Sequence, residues 1–173
     1  MKKPYRAALL VSGALTLGIC AVMNLALIPT IETAAGGLRC FDMRFGYSFD
    51  EALAFLSALT PEGRGIYLWR QLPLDLLYPL AYGAFFLLAI SGLQKRKTPL
   101  LACPVLLAAA DYAENACVFL MLRGDAPSKA LVAAGSAATV AKTLLMYLCF
   151  LLLLVLLLRA VIKRRTSGFR AAG

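Results

Sequence analysis

Asp111, Glu114 and Asn115 interrupt an apolar stretch that runs from Leu100 to Met121. At spacings of i, i+3 and i+4 they share one face of a helix. A charge at the centre of a membrane helix costs at least ~2.5–3.5 kcal/mol on insertion scales, so this face must turn away from lipid, and its residues are candidate functional groups. Asp75, Tyr78 and Tyr82 recur at i, i+3 and i+7 in the preceding apolar segment, again on one face. Lys142 is the fourth misplaced charge.

Three carboxylates against one lysine leave a surplus of negative charge. Either Arg44 and Arg70 add counter-charge from the rim, or one carboxylate keeps its proton. A proton-sharing carboxylate pair is what acid–base chemistry or proton coupling requires. The candidate catalytic groups are therefore Asp111, Glu114 and Asp75. The candidate ligand-binding set is Asp75, Tyr78, Tyr82, Asp111, Glu114, Asn115 and Lys142, with Arg44 and Asp42 at the rim. The plainer alternative is that Lys142 pairs with Asp111 or Glu114 as a buried ion pair that fixes helix register.

The elements that must position these groups are membrane spans. The chain has 173 residues, 61% of them hydrophobic and only 16% charged, and its mean hydropathy is +0.78. A soluble domain would be less apolar and more charged. The expectation is one all-α integral membrane domain over residues 1–173: a four-helix transmembrane bundle with spans near 7–28, 66–93, 100–121 and 131–158. Within the outer segment 29–65, Ser48-Phe49-Asp50-Glu51 matches a capping box, and residues 52–59 then read as a short interfacial amphipathic helix. Thr60-Pro61 reads as a second helix start. Pro79 should kink its span. Ser12, Gly13, Thr16 and Gly18 are small, which suits the first span to close packing against a neighbour. A basic, frayed tail, 159–173, closes the chain.

The net charge of +9 does not point to nucleic acid, because the basic residues lie beside the apolar segments. Residues 1–6, 94–98 and 159–173 hold 11 of the 18 Lys and Arg residues and none of the nine acids. The positive-inside rule then places both termini in the cytoplasm and the 29–65 segment outside. At ~1.5 Å per residue, Asp75, Asp111, Glu114, Lys142 and Asn24 all stand about 20–27 Å above the cytoplasmic ends. They converge in the outer half of the membrane core, in a pocket open to the outside and covered by the 29–65 segment.

The absence of histidine removes His-ligated haem, most zinc catalysis and any His-based triad, and neither a metal nor a cofactor is expected. The five cysteines form no C-x-x-C pair, which argues against a thiol oxidoreductase. Cys40 alone lies in a polar segment, and its redox state is open. Three functions remain. The first is binding or translocating a small or lipid-like ligand. The second is an intramembrane enzyme acting on a lipid-like substrate by carboxylate chemistry. The third is an accessory subunit whose polar face meets another membrane protein, favoured if that face finds no partner in its own chain. The bilayer is a partner in all three; a homo-oligomer or a membrane partner fits the first and third.

The ordered set Asp42-Met43-Arg44-Phe45-Gly46-Tyr47-Ser48, Pro61-Glu62-Gly63-Arg64, Tyr67, Asp75…Tyr78-Pro79…Tyr82 and Asp111-Tyr112-Ala113-Glu114-Asn115 resembles a group of small bacterial four-span membrane proteins. The resemblance covers about residues 40 to 145. It implies a bacterial inner-membrane protein and supports the pocket, but supplies no activity.

Overall fold

Two prolines shape the helices that carry the chain into and out of the 35–60 segment. The computed structural model describes residues 3–94, 98–124 and 126–171, with side chains through residue 163. The first helix is continuous from α1 (Lys3–Val22) through a π-helical turn (Met23–Leu27) into α2 (Ile28–Ala34). The second runs from α4 (Pro61–Ile66) through another π turn (Tyr67–Gln71) into α5 (Leu72–Leu93). Pro29 and Pro73 each lie two residues beyond a π turn. Proline has no N–H to give the carbonyl four residues back, and its ring collides with that carbonyl. Widening the preceding turn relieves both conflicts, and such bulges frequently occur at functional sites.

After a 3-10 turn at Pro99–Leu101 come α6 (Ala102–Arg123) and α7 (Lys129–Ala171). Among the described residues four helices are long and apolar enough to cross a membrane: Lys3–Ala34, Pro61–Leu93, Pro99–Arg123 and Lys129–Lys163. Each extends a few residues beyond the span read from its apolar run, because polar residues at a helix end continue the backbone hydrogen bonding. The 159–173 tail, expected to fray, continues α7 as helix through Ala171. Of the basic hairpin at 94–98, residues 95–97 lie outside the described residues. No strand occurs among the described residues. Packing runs α1 on α5, α5 on α6 and α6 on α7, with α7 also touching α5. This is the expected four-helix bundle.

The cap over one end begins where α2 stops. Gly36 and Gly37 take φ of 66° and 86°, and their N–H groups bond back to Thr33 and Glu32 carbonyls at 3.1 and 2.8 Å. This is the Schellman ending that left-handed glycine permits. The short helix α3 (Phe49–Ala58) starts at the predicted capping box. Ser48 Oγ accepts from Glu51 N–H at 3.2 Å, and Glu51 Oε2 accepts from Ser48 N–H at 2.7 Å. Thr60 caps α4 through Gly63 N–H at 3.2 Å. Gly63 also lets α4 approach α2, since a Cβ there would lie 2.5 Å from the Ala34 Cβ.

Two apolar cores result. The cap core stacks Phe41 on Tyr47 and Phe55 (centroids 4.8 and 5.0 Å) and Phe55 on Tyr67 (6.3 Å), over Met121, Leu122 and Val132. At the other end Tyr82, Phe86, Ile90, Leu107, Cys103 and Cys149 form a second core. The leucines of α7 beyond Leu144 are mostly half-exposed or exposed, as a lipid-facing surface should be. Between the two cores lies a buried polar layer.

Candidate functional site

Pro79 opens the site by what it omits. Its missing N–H leaves the Asp75 carbonyl, four residues back, without its helical partner. Asn115 on α6 supplies the replacement, donating Nδ2–H to that carbonyl at 3.1 Å. One turn earlier on α6, Tyr112 O–H donates to the next carbonyl, that of Leu76, at 2.9 Å. Side chains of a neighbouring helix thus satisfy the proline-disturbed backbone of α5.

The face of α6 also finds its partners, Asn115 Oδ1 excepted. Asp111 Oδ2 accepts from Tyr82 O–H at 2.8 Å, and Oδ1 accepts from Asn115 at 3.3 Å. Lys142 of α7 forms an ion pair with Glu114 Oε2 and lies 3.7 Å from Asp111 Oδ1. Thr139 O–H donates to Glu114 Oε1 at 2.5 Å. Asp111, Glu114, Asn115 and Thr139 are all buried. The Asp-x-x-Glu face therefore finds its partners inside its own chain, which removes the argument for an accessory subunit that rested on an unpartnered face.

Asp75 and Asp42 are different. Both lack an ion-pair partner among the described residues. Asp75 is 3% exposed and its Oδ2 has no hydrogen-bond partner. Asp42 descends from the cap, accepts from Tyr67 O–H at 2.6 Å through Oδ2, and leaves its buried Oδ1 unpartnered. Both carboxylates line a cavity of about 240 Å³ with Asn24, Tyr78, Asp111 and Lys142. Unlike Asp111, Glu114 and Asn115 are not among its lining residues; they stand behind it, as does Tyr82, whose ring meets Tyr78 at 5.0 Å.

The rim expected from Arg44 is absent. Its guanidinium donates to the Arg39 carbonyl at 3.0 and 2.7 Å and lies 6.0 Å from the Phe55 ring centroid. The cap carbonyl and ring offer it a closer partner than Asp42, which the Tyr67 hydroxyl holds. Arg70 is exposed. Neither arginine supplies the counter-charge, so the surplus remains with Asp42 and Asp75. Asn24 spends its amide on the Cys20 carbonyl of its own helix at 2.9 Å.

Gln71 was missed. It is fully buried, with both amide atoms unpartnered. Its signal was present, since Gln71 lies one turn before Asp75 and extends the face of Asp75, Tyr78 and Tyr82 to i, i+4, i+7 and i+11. A second omission is the buried pair Cys103 and Cys149, whose sulfurs lie 3.2 Å apart across α6 and α7. No local motif announces a pair separated by 46 residues.

In the cap, Cys40 is a free, buried thiol. Burial pushes its pKa far up, reinforced by Asp42 and Glu32, so it is not a reactive thiolate. Tyr47 is likewise pushed up by burial, and its hydroxyl sits where a Cβ on Gly135 would meet it at 2.6 Å. Its N–H donates to Ser136 at 2.9 Å, which ties the cap to α7. Among the described residues no group of three or more His, Cys, Asp or Glu could hold a metal ion. What the cavity offers is a lining with two carboxylates, Asp75 and Asp42, that have no ion-pair partner among the described residues. The chain matches no family model, no curated protein and no solved structure.

Proposed function

We propose that the protein sits in a bacterial inner membrane and uses this cavity to bind or translocate a small or lipid-like ligand. The basic ends give cytoplasmic termini, which turns the cap and the cavity toward the outer face. The reading is supported above all by Asp75 and Asp42, two carboxylates that line one cavity, each with a buried oxygen (Oδ2 and Oδ1) that has no hydrogen-bond partner among the described residues. Burying an acceptor without a hydrogen bond costs about 1–3 kcal/mol. On the Glu114–Lys142 side of the layer both carboxylates have a charged partner, and only the neutral Asn115 Oδ1 is left over. A bound ligand with donor groups supplies the missing partners.

The test is native mass spectrometry of protein extracted in mild detergent, comparing wild type with Asp75→Asn. The expected result is a small-molecule or lipid adduct on the wild type that the variant loses, with the variant's melting temperature unchanged or raised. An adduct-free wild type, together with a clearly less stable variant, would assign Asp75 to structure and sink the proposal.

A further inference from the structure

The polar cavity has an apolar continuation. A second cavity, also about 240 Å³, is lined by Gly13, Thr16 and Leu17 of α1, by Phe85 and Phe86 of α5, and by Phe150 of α7. Tyr78, Tyr82 and Met146 complete its walls, and Tyr78 and Met146 also line the polar cavity. The two are therefore adjacent, one charged and one almost wholly carbon. They follow a single seam. α1 packs on α5, and α7 packs on α6 and α5, but α1 and α7 do not pack together as an extended pair. α5 is the floor of the seam, and the lips are exposed residues: Leu17 on one side, Tyr147 and Phe150 on the other.

Position along the helices gives the seam a direction. On α7 the polar cavity touches Lys142, Thr143, Met146 and Tyr147, and the apolar one Met146 and Phe150. Their centres differ by about one turn, or ~5 Å, along the axis away from the cap. A molecule filling both would hold its head beneath the cap and its tail pointing toward the other end of the bundle. That is the orientation of an amphiphile in the leaflet on the cap side, and the open lips give it a lateral path from the bilayer.

The head is constrained by charge. Lys142 is already engaged by Glu114 and Asp111, while Asp42 and Asp75 carry acceptors that nothing in the chain meets. An anionic head would face carboxylates with no cation among the lining residues but the engaged Lys142. A head bearing N–H donors and positive charge would satisfy both. We infer that cavity and groove form one site for a single-chain cationic amphiphile, an alkyl ammonium, taken up sideways between α1 and α7. This rests on the proposed ligand-binding reading of the polar cavity and names the class of ligand.

The probe is a dodecylamine with a diazirine at the tail end, added to protein in phosphatidylcholine vesicles and photolysed. Labelled residues are then located by mass spectrometry. The expected result is labelling at Leu17, Phe85 or Phe150 that Asp75→Asn reduces by about tenfold or more, the size of a lost charge-assisted hydrogen bond. Thr16→Phe, which fills the groove from an accessible position, is expected to abolish the label while the protein stays folded. A dodecanoic acid probe should label weakly. Equal labelling by the acid, or labelling indifferent to Asp75→Asn, would mean ordinary lipid in a crevice and would overturn the inference. An Asp75-dependent adduct without labelling in the seam would overturn the groove alone and leave the polar cavity as a ligand site. Absence of both adduct and label would overturn the two readings together.

Discussion

The polar layer has two sides built from the same residue types and finished differently. Between α6 and α7, Glu114, Lys142 and Thr139 close on one another. Between α5 and the cap, Gln71, Asp75 and Asp42 leave four polar atoms with no partner. Burial is similar, since Glu114 and Gln71 are both at 0% exposure and Asp75 at 3%, so exposure does not explain the contrast. Pairing does. The first side reads as a register-fixing ion pair of the plainer kind. The second reads as a surface waiting for something outside the chain. Asp111 belongs to both, with its oxygens satisfied by Tyr82 and Asn115 and its edge on the cavity.

The largest effect should come from breaking the closed side. Lys142→Met strands a buried carboxylate, and removing one partner of a buried pair typically costs about 3–5 kcal/mol. Adding Glu114→Gln should restore most of the loss. Denaturant unfolding in detergent micelles would measure both, and a double variant no more stable than the single would dissolve the contrast. On the open side the sign should reverse. Gln71→Leu removes two buried, unsatisfied atoms and is expected to raise stability by about 1–3 kcal/mol. A loss of that size would place a structural partner on Gln71 and make the two sides alike.

The smallest effects lie in the cap. Ser48→Ala should cost about 1 kcal/mol, the usual worth of an N-cap. The Ser48 backbone N–H, with the Ser48 side chain, holds the Glu51 carboxyl below the ordinary carboxylate range. The capping contribution is therefore present above the unfolded pKa and is lost as pH falls through the lower folded one. Amide-exchange protection of α3, corrected for intrinsic rates, should drop over that interval in wild type and stay flat in Glu51→Gln.

Much of this was legible before any coordinates. The capping box at Ser48, the Thr60-Pro61 start and the four spans are local signals, and each depends on a few adjacent residues. The Asp111, Glu114 and Asn115 face was legible because helical geometry converts spacing directly into direction. The pairing of Lys142 with Asp111 or Glu114 was legible as one of two alternatives, from charge in an apolar setting. What could not be read was choice among distant partners. Asp42 and Arg44 stand two residues apart, and nothing local says that Tyr67 takes the acid while the Arg39 carbonyl takes the base. The meeting of Cys103 with Cys149 depends on how α6 and α7 are set against each other along their length. Small residues on α1 announced close packing, and Gly13 does abut the Phe85 ring, at 3.3 Å from an imagined Cβ, but Gly18 touches nothing within 4 Å.

The π turns at Met23–Leu27 and Tyr67–Gln71 carry one further consequence. Each holds one residue more than an α-helical turn of the same height needs. Deleting that residue from either would leave an unbroken helix with ordinary α bonding and keep the faces on its two sides in register, because the widened turn already absorbs the extra residue. Such a deletion would remove or redirect Asn24 or Gln71 locally while changing no loop and no hydropathy. At these two places chain length itself is a determinant of the site. Related chains that differ by a single-residue gap there would share the fold and present a different lining.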